Sequence, residues 1–154
     1  MNIFALDYDP IVAAEYHCDK HVVKMVLETA QMLSTITGHG YRPTHINHPC
    51  TVWARESTQN FLWLYGLGMA LGKEFQHRYR KRHKSSIIIA EQWPPPKSIP
   101  EGPLTPFALA MPDEYKVDCP VESYRNYYAG AKKDLLNYTR RDLPEWLAST
   151  SLEA

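Results

Sequence analysis

From Asp9 to about Thr37, apolar and polar positions alternate at helical spacing. Wound at about 100° per residue, His17, His21, Lys24, Glu28 and Gln31 fall in one narrow row, at steps of four, three, four and three. Val22, Val23, Met25, Val26, Leu27, Ala30, Met32 and Leu33 cover most of the remaining circumference. A surface helix has the opposite proportions, with a narrow apolar stripe and a broad polar side. The pattern therefore predicts a mostly buried helix whose polar strip lines a cleft; the alternative is a solvated face on a long helix. Asp9-Pro10 supplies the start and Gly38-His-Gly40 the end. Asp19 falls in the apolar sector, which points to a kink near Cys18–Asp19.

Residues 38 to 50 read as a loop set by glycine and proline. A second long helix is expected from about Thr51 to His83, with Trp53, Phe61, Leu64, Gly68, Leu71 and Phe75 facing inward. Gly66, Gly68 and Gly72 cost helix stability, so they predict close approach of another helix or a bend. A short helix is expected within Lys84–Trp93. Residues 94 to 120 hold eight of the twelve prolines and predict a long irregular segment; its portion Leu104–Met111 is too apolar for a free linker and should pack across the domain. A last helix is expected from about Val121 to Tyr138, with Leu143–Leu147 tucking back. Residues 2 to 6 read as a short strand or an extended arm. The expected fold is mainly α: a single-domain helical bundle over residues 1–147, with a frayed tail at 148–154.

Composition adds three constraints. At 154 residues the chain can bury one proper core. Ten tyrosines and four tryptophans suit a core whose edges meet a groove, and such rings also stack on bases. Seventeen basic and seventeen acidic residues cancel, so nucleic-acid binding has to rest on a local patch. His77–Lys84 is that patch: Arg78, Arg80, Lys81 and Arg82 can reach phosphates while Tyr79 offers a stacking face. The alternative is that these cations simply complement a helix C-terminus. Three sparse cysteines, a start without a basic region and the absence of any bilayer-length apolar run predict a soluble, cytoplasmic protein.

The strip carries the candidate chemistry. His17, His21, Lys24 and Glu28 are the candidate acid–base and nucleophilic groups, although Lys24 and Glu28 at i,i+4 also suit a plain ion pair. Asp19, Lys20 and Gln31 lie close by as substrate contacts, with Asn60 on the next helix. Arg42, His45, His48 and Arg55 can converge as an anion site if the 38–50 loop folds over the first helix. The same histidines with Cys18 and Cys50 suggest a zinc site. Against it stand the missing acid of an HExxH pattern, the absence of a CxxC pair, and Lys20 and Lys24, which would repel a cation. No metal and no cofactor are expected.

Several segments resemble a family of small proteins from tailed bacteriophages. They are Met-Asn-Ile-Phe-x-Leu-Asp at the start, His17-Cys-Asp-Lys-His-Val-Val-Lys-Met25, Asn47-His-Pro-Cys-Thr-Val-Trp53, Leu104–Tyr115 and Tyr124-Arg-Asn-Tyr-Tyr128. The resemblance covers nearly the whole chain and implies a phage setting but no reaction. Small all-α phage enzymes include the pyrimidine-dimer glycosylases, a likeness of fold only, since none of their catalytic pattern is matched. The leading expectation is a phage enzyme acting on a nucleotide or nucleic acid in the infected host, by base modification or glycosidic-bond cleavage. The second is a non-catalytic counter-defence module that binds a nucleotide signal or a host protein. The third is a zinc-stapled interaction protein.

Overall fold

The first helical stretch is interrupted. In the computed structural model, which describes residues 1–147, α1 spans Pro10–Tyr16 and α2 spans Asp19–Thr37. The Asp9 carboxylate caps α1 by accepting from the Ile11 amide at 2.9 Å. His17 and Cys18 are extended. The His17 ring donates from Nδ1 to the Ala13 carbonyl at 2.6 Å, an acceptor that a continued helix would have filled with a backbone amide. The foreseen kink is thus a complete break. It frees Asp19 from the apolar sector, and its carboxylate accepts from the Thr139 amide at 2.8 Å and hydroxyl at 2.7 Å. At its other end α2 stops on Gly38 in the left-handed region, φ 82°.

The second long helix is also two: α3 at Pro49–Ala54 and α4 at Thr58–Tyr79. Ser57 separates them, its hydroxyl accepting from the Asn60 amide at 3.1 Å. Periodicity alone hid this cap, because Trp53 and Phe61 are buried on either side of it. α4 ends at Arg80, φ 58°, so residues 81 to 83 lie beyond the helix. α2 and α4 run antiparallel: Asp19 meets Arg78 at one end and Thr29 meets Gly68 further along. A Cβ at Gly68 would stand 2.8 Å from the Thr29 methyl and 3.1 Å from Ile89, so the glycine permits the close packing that its position predicts. Ile89 belongs to α5, Ser85–Ala90, which packs on both helices.

Residues 94 to 119 are irregular apart from a 3₁₀ turn at Asp113–Tyr115, and they cross the bundle as their apolar content requires. Phe107 packs against Trp53 and Trp63, and the Tyr124 hydroxyl donates to the Ala108 carbonyl at 2.5 Å. Asn60, expected in substrate binding, is instead the clasp for this segment. Its amide nitrogen donates to the Trp53 carbonyl at 2.9 Å and the Thr105 hydroxyl at 2.8 Å, while its oxygen accepts from the Thr105 amide at 2.9 Å. α6, Pro120–Ala131, is shorter than expected and is followed by a 3₁₀ turn at Lys133–Leu135. Residues 2 to 6 form a buried arm rather than a strand, and no strand occurs among the described residues. One core extends from Ile3 to Tyr128. Among the described residues no helix is long and apolar enough to cross a membrane. The expected frayed tail, 148–154, lies outside the described residues.

Candidate active site

The buried arm brings Met1 against α2. The Asn2 side-chain oxygen accepts from the amides of Ile3 at 2.7 Å and Phe4 at 3.2 Å, and its nitrogen donates to the Ala110 carbonyl at 2.7 Å. Phe4 sits in the left-handed region at φ 36°, which costs a non-glycine residue about 1–2 kcal/mol. Stacking on His21, with ring centroids 4.4 Å apart, and the Leu6 amide bond to the Phe4 carbonyl at 2.7 Å hold it there. The outcome is an α-amino group on Met1, a residue whose side chain is buried, lying 2.9 Å from Glu28 Oε1. Glu28 Oε2 has no hydrogen-bond partner. Lys24 Nζ lies 3.8 Å from it on a side chain that is 65 % exposed, so that ion pair adds little stability. A buried carboxylate oxygen ordinarily finds a donor; this one makes no hydrogen bond although two amines lie beside the carboxylate.

His48 closes the other side. Its Nδ1 accepts from the Cys50 amide at 3.1 Å, capping α3, so in the neutral ring the proton is on Nε2. Burial pushes its pKa below the usual value, and the Met1 amine and His45 add to this. Glu28 and a hydrogen bond to the Met1 backbone act in the opposite sense. The loop is tied to α2 through Thr44 and Thr35, and His48 lies near enough to Glu28 to feel its charge, but the foreseen anion cluster does not assemble. Arg42 and His45 remain exposed. Arg55 uses Nη1 to hold the Ile46 carbonyl at 2.5 Å, which gives it a role in the loop's own structure.

An amine, a carboxylate with a spare oxygen and a neutral imidazole suit attack and proton transfer at a carbon that bears a leaving group. The profile of the pyrimidine dimer DNA glycosylase family matches residues 1–87. The chain belongs to this family. It is a DNA-acting enzyme of glycosidic-bond cleavage, and the reading as a non-catalytic module gives way. No curated relative and no solved structure matches the chain. The matched stretch contains Met1, Lys24, Glu28 and His48. The amine nearest the Glu28 carboxylate belongs to the backbone of Met1, and a search over side chains passes it by. The one available signal was Asn2, a polar residue heading an otherwise apolar arm.

The enzyme places the other candidate residues as follows. His17 and His21 are buried beneath the arm, so they face the core and not the strip's open side. Burial lowers the His17 pKa to about 4 against the pull of the Ala13 bond, with Arg78 lowering it further. Burial, His17 and the lysines at 132 and 24 take His21 to about 3. His21 Nδ1 lies 2.6 Å from the Tyr128 hydroxyl. The break at residues 17–18 turned His17 out of the row, and His21 supports Phe4. Asp19 is occupied by Arg78 and Thr139. Arg78, expected on nucleic acid, has a fully buried side chain bonded to Glu74, Asp19 and the Glu15 carbonyl. Tyr79 is half-buried, its hydroxyl 3.5 Å from the Asp19 carbonyl. Arg80, Lys81 and Arg82 are exposed; so is Lys20, while Gln31 is half-exposed. Among the described residues no group of three or more His, Cys, Asp or Glu is placed to hold a metal. The buried Cys18 and Cys50 are drawn apart, Cys18 towards Tyr128 and Cys50 towards Asn2. A concavity of 400 Å³ between α1 and α4 is lined by Glu15, Lys73, Glu74 and Arg141 and shares no residue with the Met1–Glu28 site.

Proposed function

We propose that Glu28 and the Met1 α-amino group form the reaction centre for excising damaged pyrimidines from duplex DNA. The supporting observation is their 2.9 Å pair, with Glu28 Oε2 making no hydrogen bond and only the long ion pair to Lys24. Glu28 takes a proton from the ammonium, and the free amine attacks C1′ of the deoxyribose. The bond from C1′ to the base nitrogen breaks as the bond to the amine forms, and the base departs with a proton. Opening of the sugar ring then gives an imine between C1′ and the amine, the ordinary product of a primary amine at a carbon of this oxidation level. His48, whose imidazole bonds the Met1 backbone, positions the amine for this attack. Lys20 and Lys24 hold phosphates on the α2 face. The His83 ring, 3.1 Å from the Val23 carbonyl, sets Arg80, Lys81 and Arg82 beside that face. A phage-encoded enzyme working in the cytoplasm of an infected bacterium, as the sequence resemblance implies, fits this reading.

Borohydride reduction in the presence of duplex DNA carrying a pyrimidine dimer or an abasic site should link the protein covalently to DNA. Peptide mapping should place the link on the Met1 nitrogen, and Glu28→Gln should lower turnover by about 10²–10⁴-fold with DNA binding retained. A link on Lys24 would transfer the nucleophile's role to that amine. No link under any condition would remove the imine mechanism.

A further inference from the structure

Among the large apolar side chains that the fold leaves uncovered are Val23 at 41 % and Leu27 at 37 % on α2, and Ile46 at 56 % on the loop that carries His48. Scattered exposed aliphatics need no explanation. Ile46 differs because the protein invests structure in presenting it. The turn 45–48 is closed by the His48 amide bonded to the His45 carbonyl at 3.0 Å, with His45 in the left-handed region at φ 49°. Arg55 holds the Ile46 carbonyl from beneath. Thr44 is tied to α2 twice, its amide donating to the Thr35 hydroxyl at 3.0 Å and its carbonyl accepting from the same hydroxyl at 3.1 Å. His48 fixes the far end by capping α3. A β-branched side chain, itself stiff at χ1, is thus held outward on a rigid turn. Two residues on is the imidazole that bonds the Met1 backbone.

We infer that Ile46 is the wedge that enters the base stack beside the nucleotide being cleaved. C1′ of a stacked, paired nucleotide is out of reach of an amine held against the buried Glu28 carboxylate, so the nucleotide must be unstacked at a cost of a few kcal/mol. Apolar side chains inserted between base steps are the general means of holding such a gap open. Arg42 and His45, exposed on the same loop, are placed to meet the phosphates on either side. The inference rests on the proposed reaction centre for its location only, and its test reads DNA conformation apart from chemistry.

The test uses the Glu28→Gln protein and duplex DNA carrying a tetrahydrofuran abasic analogue with 2-aminopurine as its neighbour. Binding should raise the fluorescence as the neighbouring step opens. Adding Ile46→Ser should abolish most of the rise, and Ile46→Leu should restore it. In the otherwise unaltered enzyme, Ile46→Ser should lower kcat/KM about ten-fold or more on fully paired duplex. On a bulged substrate, where the base is already unstacked, the loss should be under about two-fold. Equal losses on both substrates, or a fluorescence rise indifferent to residue 46 or absent at saturating DNA, would overturn the inference. Failure of imine trapping alongside a fluorescence change that depends on Ile46 would remove the nucleophile and leave the wedge standing.

Discussion

Arg78 and Asp19 meet at 3.1 Å, and through them the C-terminal turns of α4 grip the first turn of α2. The same guanidinium holds Glu74 at 2.8 Å and the Glu15 carbonyl at 3.0 Å, so three helices converge on one side chain that water does not reach. Removing one partner of such a network strands the others. Arg78→Met should cost about 3–5 kcal/mol, read as a lower urea midpoint. Arg78→Lys should recover little, because an ammonium cannot reproduce the fork. An unchanged midpoint with weakened DNA affinity would return Arg78 to the nucleic-acid surface.

Stability should fall with acid in a particular window. His17 and His21 are held at about 4 and about 3, below the ordinary 6.5. Between those values the unfolded chain binds protons that the folded chain refuses. Stability is therefore full above about 6.5, declines as the pH drops towards 3, and levels off below that. For His17 the loss is on the order of 3 kcal/mol. His17→Asn, whose amide can still donate to Ala13, should roughly halve the pH dependence of the urea midpoint between pH 7 and pH 4.5, with His21 supplying the remainder. A slope unchanged in this variant would assign the effect to other groups.

The exposed basic run should report itself through salt. Replacing Arg80, Lys81 and Arg82 with serine should reduce the slope of log K against log salt by roughly one unit for each phosphate that is no longer neutralised, with the melting temperature little changed. A parallel shift at constant slope would mean that these side chains touch no phosphate.

Gly68→Ala should destabilise despite the usual gain from alanine within a helix. The added methyl meets the Thr29 methyl at 2.8 Å and Ile89 at 3.1 Å, where two helices pack closely and have little room to give. Overpacking of this kind costs about 1–3 kcal/mol, against about 1 kcal/mol gained from propensity. Thermal denaturation decides the sign.

The helical character, the inward faces of α2 and α4 and the crossing of the proline-rich segment were legible because periodicity records burial directly. Breaks were harder to read. At His17 a ring replaces a backbone amide at the end of α1, and at Ser57 a hydroxyl caps α4; neither disturbs the apolar rhythm. Within the candidate site, Lys24, Glu28 and His48 were marked by type and spacing. The Met1 amine was not, since its position depends on Asn2 reaching Ala110, more than a hundred residues away. Arg78 sat in a run of cations, and only its pairs with buried Glu74 and half-buried Asp19 distinguish it from its neighbours.

The arm's anchorage has a consequence for shuffling pieces between relatives. The stretch that matches the family ends at residue 87, yet the arm is fastened to Ala110 and packs on Tyr124 and Tyr128. A chimera joined near residue 90 would inherit Met1, Glu28 and His48 and still lose their alignment. A transplant that keeps the Met1–Glu28 geometry has to carry the proline-rich crossing and α6 along with the first half.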